Sequence, residues 1–288
     1  MSSPYALPLQ PTWLASLNLR FAREGERSLL RENRHVGPLR VQRALYPEGP
    51  AVCQTILLHP PSGIAGGDHL TIAAQVEAGA HAQLTTPGAG KWYRSAGLDA
   101  SQRIELVVEE GATLEWLPQE TIVFDGARAR METNVSLAAG SRYIGCDVLC
   151  LGRRAAGEQF RRGTLQLATR IERAGVPLWL ERGTLIGDDP ILKSPAGWDN
   201  ASVCGNFIAT LPEVPTPSLD VAALLEASRA IAPPDGARHG ITLLPHLLLA
   251  RYLGDNSEAA RQWINDLWHL ARPALLGRAA ITPRIWNT

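Results

Sequence analysis

From Trp13 to Phe21 the apolar residues Leu17, Leu19 and Phe21 alternate with polar ones. The same period of two recurs at Leu70, Ile72, Ala74 and Val76, and again at Ile104, Leu106 and Val108. Alternation of this kind puts the apolar side chains on one face of an extended chain, so each stretch predicts a half-buried strand. The strand ends are followed by related turns: VEAGAHAQL from Val76, VEEGATLEW from Val108 and LAAGSRYIG from Leu137. Each reads as a strand end, a two-residue approach to Gly and a new strand, at offsets of about 30 residues. Recurrence of both the Gly position and the flanking alternation predicts layered sheets in which each unit buries its apolar face on the next. Three separate hairpins of similar sequence are the alternative. RIERAGVPLWLERG continues the β pattern as a hairpin turning at Ala174 and Gly175.

The pattern changes after Pro212. LPEVPTPS separates a β-rich body of about 13–211 from SLDVAALLEASRAIA, whose apolar spacing predicts a helix starting at Ser218 or Asp220. NSEAARQWINDLWHLARP predicts a second helix, capped by Asn256 or Ser257 and stopped by Pro273. Trp263, Ile264, Leu267, Trp268 and Leu270 share its broad apolar face. That face packs on the β body or meets a partner, since aromatic side chains serve both purposes. The expected fold is therefore mainly β: stacked sheets in one large domain spanning 1–288, with a few helices in its C-terminal part of about 218–288.

Composition fits this outline. The chain has 288 residues, 45% of them hydrophobic, with 26 Gly and 21 Pro, which suits a turn-rich globule with a sizeable core. Its 28 basic and 28 acidic residues cancel, so no overall field draws it to nucleic acid or to an anionic membrane. MSSPYALPLQPTWL lacks the basic region and apolar core of a secretory signal, and no apolar run is long enough to span a bilayer; a cytoplasmic protein is expected. Four scattered cysteines predict free thiols. Cys146 and Cys150 would share a strand face with Val148, about 13 Å apart and beyond bridging. They read as buried apolar thiols or, alternatively, as a soft-metal contact.

The stretch from His59 to Ser95 concentrates glycine and polar side chains in HPPSGIAGGD and TTPGAGKWYRS. Gly63, Gly66 and Gly67 permit close backbone approach, beside His59, Asp68, Lys91, Tyr93 and Arg94, so a built site is expected there. It matches no standard enzyme signature. A phosphate loop needs Gly and a hydroxyl where Thr85 and Trp92 stand, and GIAGGD lacks the βαβ setting of a dinucleotide site. No nucleophile elbow occurs. Glu120 and Asp125, five residues apart, would face opposite sides of one strand, which argues against a carboxylate-pair hydrolase. His59, Asp68, His69 and His81 suit nickel or zinc chemically, but their irregular spacing predicts weak or transient contact rather than a tight metal site.

Taken together, HPPSGIAGGD, TTPGAGKWYRS, WLPQETIVFDGARA, GCDVLCLGRRAAGEQF and the ending LLGRAAITPRIWNT resemble the urease accessory protein family UreD, also called UreH. The resemblance is dense from about His59 to Gly163 and from about Arg251 to Trp286. It implies a non-enzymatic maturation factor that binds UreF and, through it, the GTPase UreG. The assembly would dock on urease apoprotein and help insert nickel, with no tightly bound cofactor and nickel(II) handled only transiently. It further implies an internal passage for the ion. His59, Asp68, Glu120, Asp125 and Glu158 are the candidate lining, because many weak oxygen and imidazole contacts let an ion move where one tight cage would trap it. Lys91, Tyr93 and Arg94, two of them cations that would repel a metal ion, are assigned to holding the glycine segments or to a partner surface. Trp263 and Trp268 are assigned to core packing or to UreF. A polymer-acting hydrolase or lyase with a carboxylate groove and a tight nickel carrier are the competing readings.

Overall fold

The computed structural model describes residues 13–214 and 219–287. Ser218, one of the two expected helix starts, and most of the N-terminal stretch that bears on a secretory signal lie outside them. Seventeen strands are present among the described residues: β1 (Leu14–Glu24), β2 (Arg27–Val36), β3 (Arg40–Leu45), β4 (Cys53–Leu58), β5 (His69–Val76), β6 (His81–Thr85), β7 (Gly90–Trp92), β8 (Ala100–Val108), β9 (Thr113–Leu117), β10 (Thr121–Val123), β11 (Arg128–Leu137), β12 (Arg142–Leu151), β13 (Thr164–Arg173), β14 (Val176–Ile186), β15 (Val203–Thr210), β16 (Arg238–Leu244) and β17 (Leu247–Gly254). Two longer helices accompany them, α1 (Val221–Arg229) and α2 (Ser257–Leu276). Among the described residues no helix is long and apolar enough to cross a membrane.

The strands form two sheets, one in the order β14-β13-β11-β8-β5-β1-β2 and one running β16-β17-β15-β12-β9-β6-β4-β3. Between β4 and β13 the chain alternates from one sheet to the other, and neighbouring strands of these coils run parallel. This is the layering that the repeated turns predict. Gly79, Gly111 and Gly140 all take positive φ at the corner between the sheets. At these corners Ala80 N bonds to Glu77 O, Ala112 N to Glu109 O and Ser141 N to Ala138 O, one turn repeated on three successive levels. A side chain at these glycines would strain the left-handed conformation. The hairpin between β13 and β14 turns at Ala174 and Gly175, both with positive φ, as expected.

Alternation gives the first sheet one buried face, and the second sheet is buried on both. Leu17, Leu19, Phe21, Ile72, Leu106, Leu84 and Leu114 fill the space between the sheets. The other face of the second sheet packs Cys146, Val148, Cys150, Phe207 and Tyr252 against Trp263, Ile264, Leu267 and Trp268 of α2. The apolar stripe of α2 is thus spent on the protein's own core. Asp220 caps α1 and Asn256 caps α2, each accepting backbone N–H bonds.

Two details depart from expectation. Pro273 does not stop α2, which continues to Leu276 and ends at Gly277 in the left-handed conformation. A proline within the last turn forfeits a single intrahelical bond, and the Gly277 N–H closes the end on Pro273 O. The C-terminal part also returns two strands, β16 and β17, to the second sheet. Their leucine-rich run carries no periodicity that separates strand from helix.

Candidate functional site

A cavity of about 600 Å³ lies between the sheets where β11, β13 and β14 face β12, β15, β16 and β17. It arises from a change along a single rung of the first sheet. Leu17, Ile72 and Ile104 stand side by side, and the rung continues as Thr133, Thr169 and Glu181. Opposite, Trp116 is followed by Gly145. Large apolar groups are replaced by small or polar ones, so the sheets no longer fill the gap, and the polar groups in its otherwise apolar wall offer water hydrogen-bond partners.

Asp147, Asn206 and Arg251 oppose one another on β12, β15 and β17 and line this cavity. Asn206 Nδ2 lies 3.0 Å from both carboxylate oxygens of Asp147. Asp147 is itself exposed, its side chain reaching the open cavity with protein of both sheets around it. Burial, reinforced by nearby Glu181 and opposed by Asn206 and Arg251, pushes its pKa up to about 6. Arg251 pairs with Glu181 across the gap between the sheets, and its guanidinium lies 5.4 Å from the Trp179 ring centre. Cys204 also lines the cavity; burial, with Asp147 nearby, pushes its thiol up to about 12, so at neutral pH it is no thiolate ligand. Among the described residues no three His, Cys, Asp or Glu side chains are placed to hold a metal ion together.

A second polar cluster fills the opposite face of the second sheet. Glu115, fully buried on β9, lies 2.8 Å from His81 Nε2, and its Oε2 accepts from Trp268 Nε1 at 2.7 Å and Arg272 Nε at 2.9 Å. Arg272 Nη2 reaches Glu115 Oε1 at 3.0 Å and Glu48 at 2.8 Å. Burial alone would raise the Glu115 pKa, but the hydrogen bonds and charges of His81 and Arg272 override it and hold the carboxyl at about 2. Trp286 Nε1 donates to Thr85 Oγ1 nearby at 2.7 Å, tying the C-terminal segment to β6. This cluster joins α2 to the sheet, and every oxygen of Glu115 is occupied.

None of the five candidate lining residues borders the cavity. Asp68 accepts the backbone N–H groups of Trp13 and Ala65, at 3.2 and 2.8 Å. Glu120 pairs with Arg261 at 3.2 Å. Asp125 accepts from Arg161 N, Arg162 N and the Arg162 guanidinium, and Glu158 from Asp125 N and Arg153. His59 is half-buried, and burial lowers its pKa despite Asp68. Asp68, Asp125 and Glu158 thus pin successive loops to one another, whereas Glu120 ties to α2 and the buried His59 Nε2 has no hydrogen-bond partner among the described residues. His69 bonds Ser101 and His81 bonds Glu115, so the four-residue metal cluster does not converge either.

The glycine segments approach their own chain. A Cβ at Gly63 would lie 2.4 Å from the Tyr93 ring, which stacks edge-on against Phe124 at 5.2 Å. Arg94 likewise packs along Gly126, and Lys91 lies within β7 beside β10. Trp263 and Trp268 are 0% and 1% exposed. Asp147, Glu181 and Arg251 escaped sequence reading because they are remote in the chain; the one trace was a lone Asp inside the otherwise apolar GCDVLCLG.

Residues 14–287 match the family described as UreD urease accessory protein. The urease accessory protein UreD of Dechloromonas aromatica (strain RCB) is 66% identical over 278 residues, covering 96% of each chain. That of Azoarcus sp. (strain BH72) is 50% identical over 279 residues, covering 97% of this chain and 95% of its own. The Pseudomonas fluorescens (strain Pf-5) protein of the same name is 50% identical over the full length of both.

Proposed function

Because the chain belongs to the family of UreD urease accessory proteins, with a role in urease maturation, we propose that it acts as a non-enzymatic scaffold through which nickel(II) reaches urease apoprotein. UreF, and through it the GTPase UreG, are its partners in this reading. The observation that carries it is the cavity between the sheets, whose largely apolar wall carries a row of polar and charged groups. Its lining offers the carboxylates of Asp147 and Glu181, the amide of Asn206 and a protonated thiol, contacts that are weak singly and that do not close into a cage. A divalent ion in transit needs such a surface, because conduction requires sites it can also leave. We place the ion's contacts at Asp147 and Glu181 rather than at His59, Asp68, Glu120, Asp125 and Glu158, because none of these five lines the cavity.

The test is urease activity after co-expression of the urease subunits and the remaining accessory proteins in nickel-containing medium. Omitting the chain is expected to abolish activation. The Asp147→Ala/Glu181→Ala double variant is expected to lower it by on the order of tenfold or more, the usual scale for groups that tune metal contacts. Full activity without the chain removes the maturation role; full activity with the double variant removes the passage and leaves the scaffold.

A further inference from the structure

The carboxylates that line the cavity are accompanied by a cation of the protein's own. Arg251 stands on the same row as Asp147 and Asn206, one strand beyond Asn206 and so about 10 Å from Asp147 by strand spacing. Its side chain crosses the gap between the sheets to pair with Glu181 of β14 and rests against the Trp179 ring. Asn206 Oδ1 and Trp179 Nε1, beside this row, are buried without hydrogen-bond partners. Two carboxylates and one guanidinium therefore line one cavity, with an unsatisfied buried amide oxygen beside them.

Arginine carries its charge at any working pH and cannot be neutralised by proton loss. Without it, Asp147 and Glu181 would line one cavity as two negative charges with no cation between them, an arrangement that favours holding a divalent cation. We propose that Arg251 is the built-in counter-cation of the cavity: it satisfies Glu181 when no metal ion is present and keeps the carboxylate pair from retaining one. The direction of this inference rests on the passage reading. Its test reads metal binding itself.

The full-length chain and its Arg251→Met variant, which keeps a long apolar stem against Trp179, are compared by equilibrium dialysis against nickel(II) at pH 7.5, with folding checked by circular dichroism. Arg251→Met is expected to bind one nickel ion about tenfold or more tightly than the parent. Adding Asp147→Asn is expected to abolish the gain, and Arg251→Lys to leave binding near the parent's. Arg251→Gln takes the place of a methionine variant that does not fold, with the same expected gain. A folded charge-removing variant that binds nickel no better than the parent overturns the inference, whatever urease does. Tighter binding together with unchanged urease activation upholds the counter-cation and overturns the passage reading instead.

Discussion

Glu115 and Asp147 are both carboxylates carried by the same sheet, thirty-two positions apart in sequence and facing opposite sides of it, the first buried and the second open to the cavity. Glu115 meets His81, Trp268 and Arg272 with every oxygen occupied, and its pKa falls to about 2. Asp147 meets one amide and a cavity, and its pKa rises to about 6. Desolvation pushes both upward, fully at buried Glu115 and only in part at exposed Asp147; the donors around Glu115 reverse the sign there. A fully satisfied ionic cluster fastens elements together, whereas a carboxylate left short of donors in a wet space retains capacity for a ligand. On the passage reading, joining and handling are divided between the two faces of one sheet.

The largest effect is expected at the satisfied site. Glu115→Gln puts a neutral amide against buried Arg272, which keeps Glu48 as its remaining charge partner, so the cost belongs at the lower end of the roughly 3–5 kcal/mol for breaking a buried pair from one side. Urea denaturation at pH 7 measures this. The parent should show the linked acid limb. Because the folded pKa lies below the ordinary value of 4.5, this stabilisation is complete above about pH 4.5 and is lost as pH falls toward 2, by about 3 kcal/mol in all. A Glu115→Gln variant as stable as the parent would mean that the cluster does not hold α2 to the sheet.

Trp268→Phe keeps the ring near the helix–sheet interface and removes a single donor from Glu115. Loss of a hydrogen bond to a charged group costs about 1.5–3 kcal/mol. His81 and Arg272 remain, so the loss belongs near the lower end, and the acid limb should persist. If Trp268→Phe matched Glu115→Gln in cost, the tryptophan's contribution would be packing rather than its N–H.

Much of the architecture was legible in the sequence for local reasons. The Gly79, Gly111 and Gly140 turns, the Ala174–Gly175 hairpin and the Asp220 and Asn256 caps each depend on a few adjacent residues. Pro273 misled because a proline in a last helical turn forfeits so little, and β16 and β17 were missed because a run of leucines has no period to read. The cavity was illegible for a different reason. Thr133, Thr169 and Glu181 become neighbours through strand register, and Asp147, Asn206 and Arg251 through three strands drawn from over a hundred positions of chain. Asp68, Asp125 and Glu158, prominent beside their glycines, accept loop backbone N–H groups; short-range motifs advertise turns, and turns need caps.

The smallest effect, and the one that reverses sign, is expected at Asp147→Asn. In the parent, the raised pKa means that the folded state holds this proton more firmly than the unfolded chain, whose aspartate ionises near its ordinary 3.8. Ionisation therefore weighs against the native state as pH rises from about 4 to about 6, and the penalty stays constant above that. Asparagine carries no such penalty. The variant should match the parent in stability near pH 4 and exceed it at pH 7, with thermal melts across that range as the measurement. Water in the cavity screens the charge, so the gain falls well short of what a dry interior would give. A variant less stable than the parent at pH 7 would mean that Asp147 is held as firmly as Glu115, and the division between a fastening face and a handling face would fail. Greater stability bought at the expense of urease activation is the pattern of a residue retained for what it binds rather than for what it holds together.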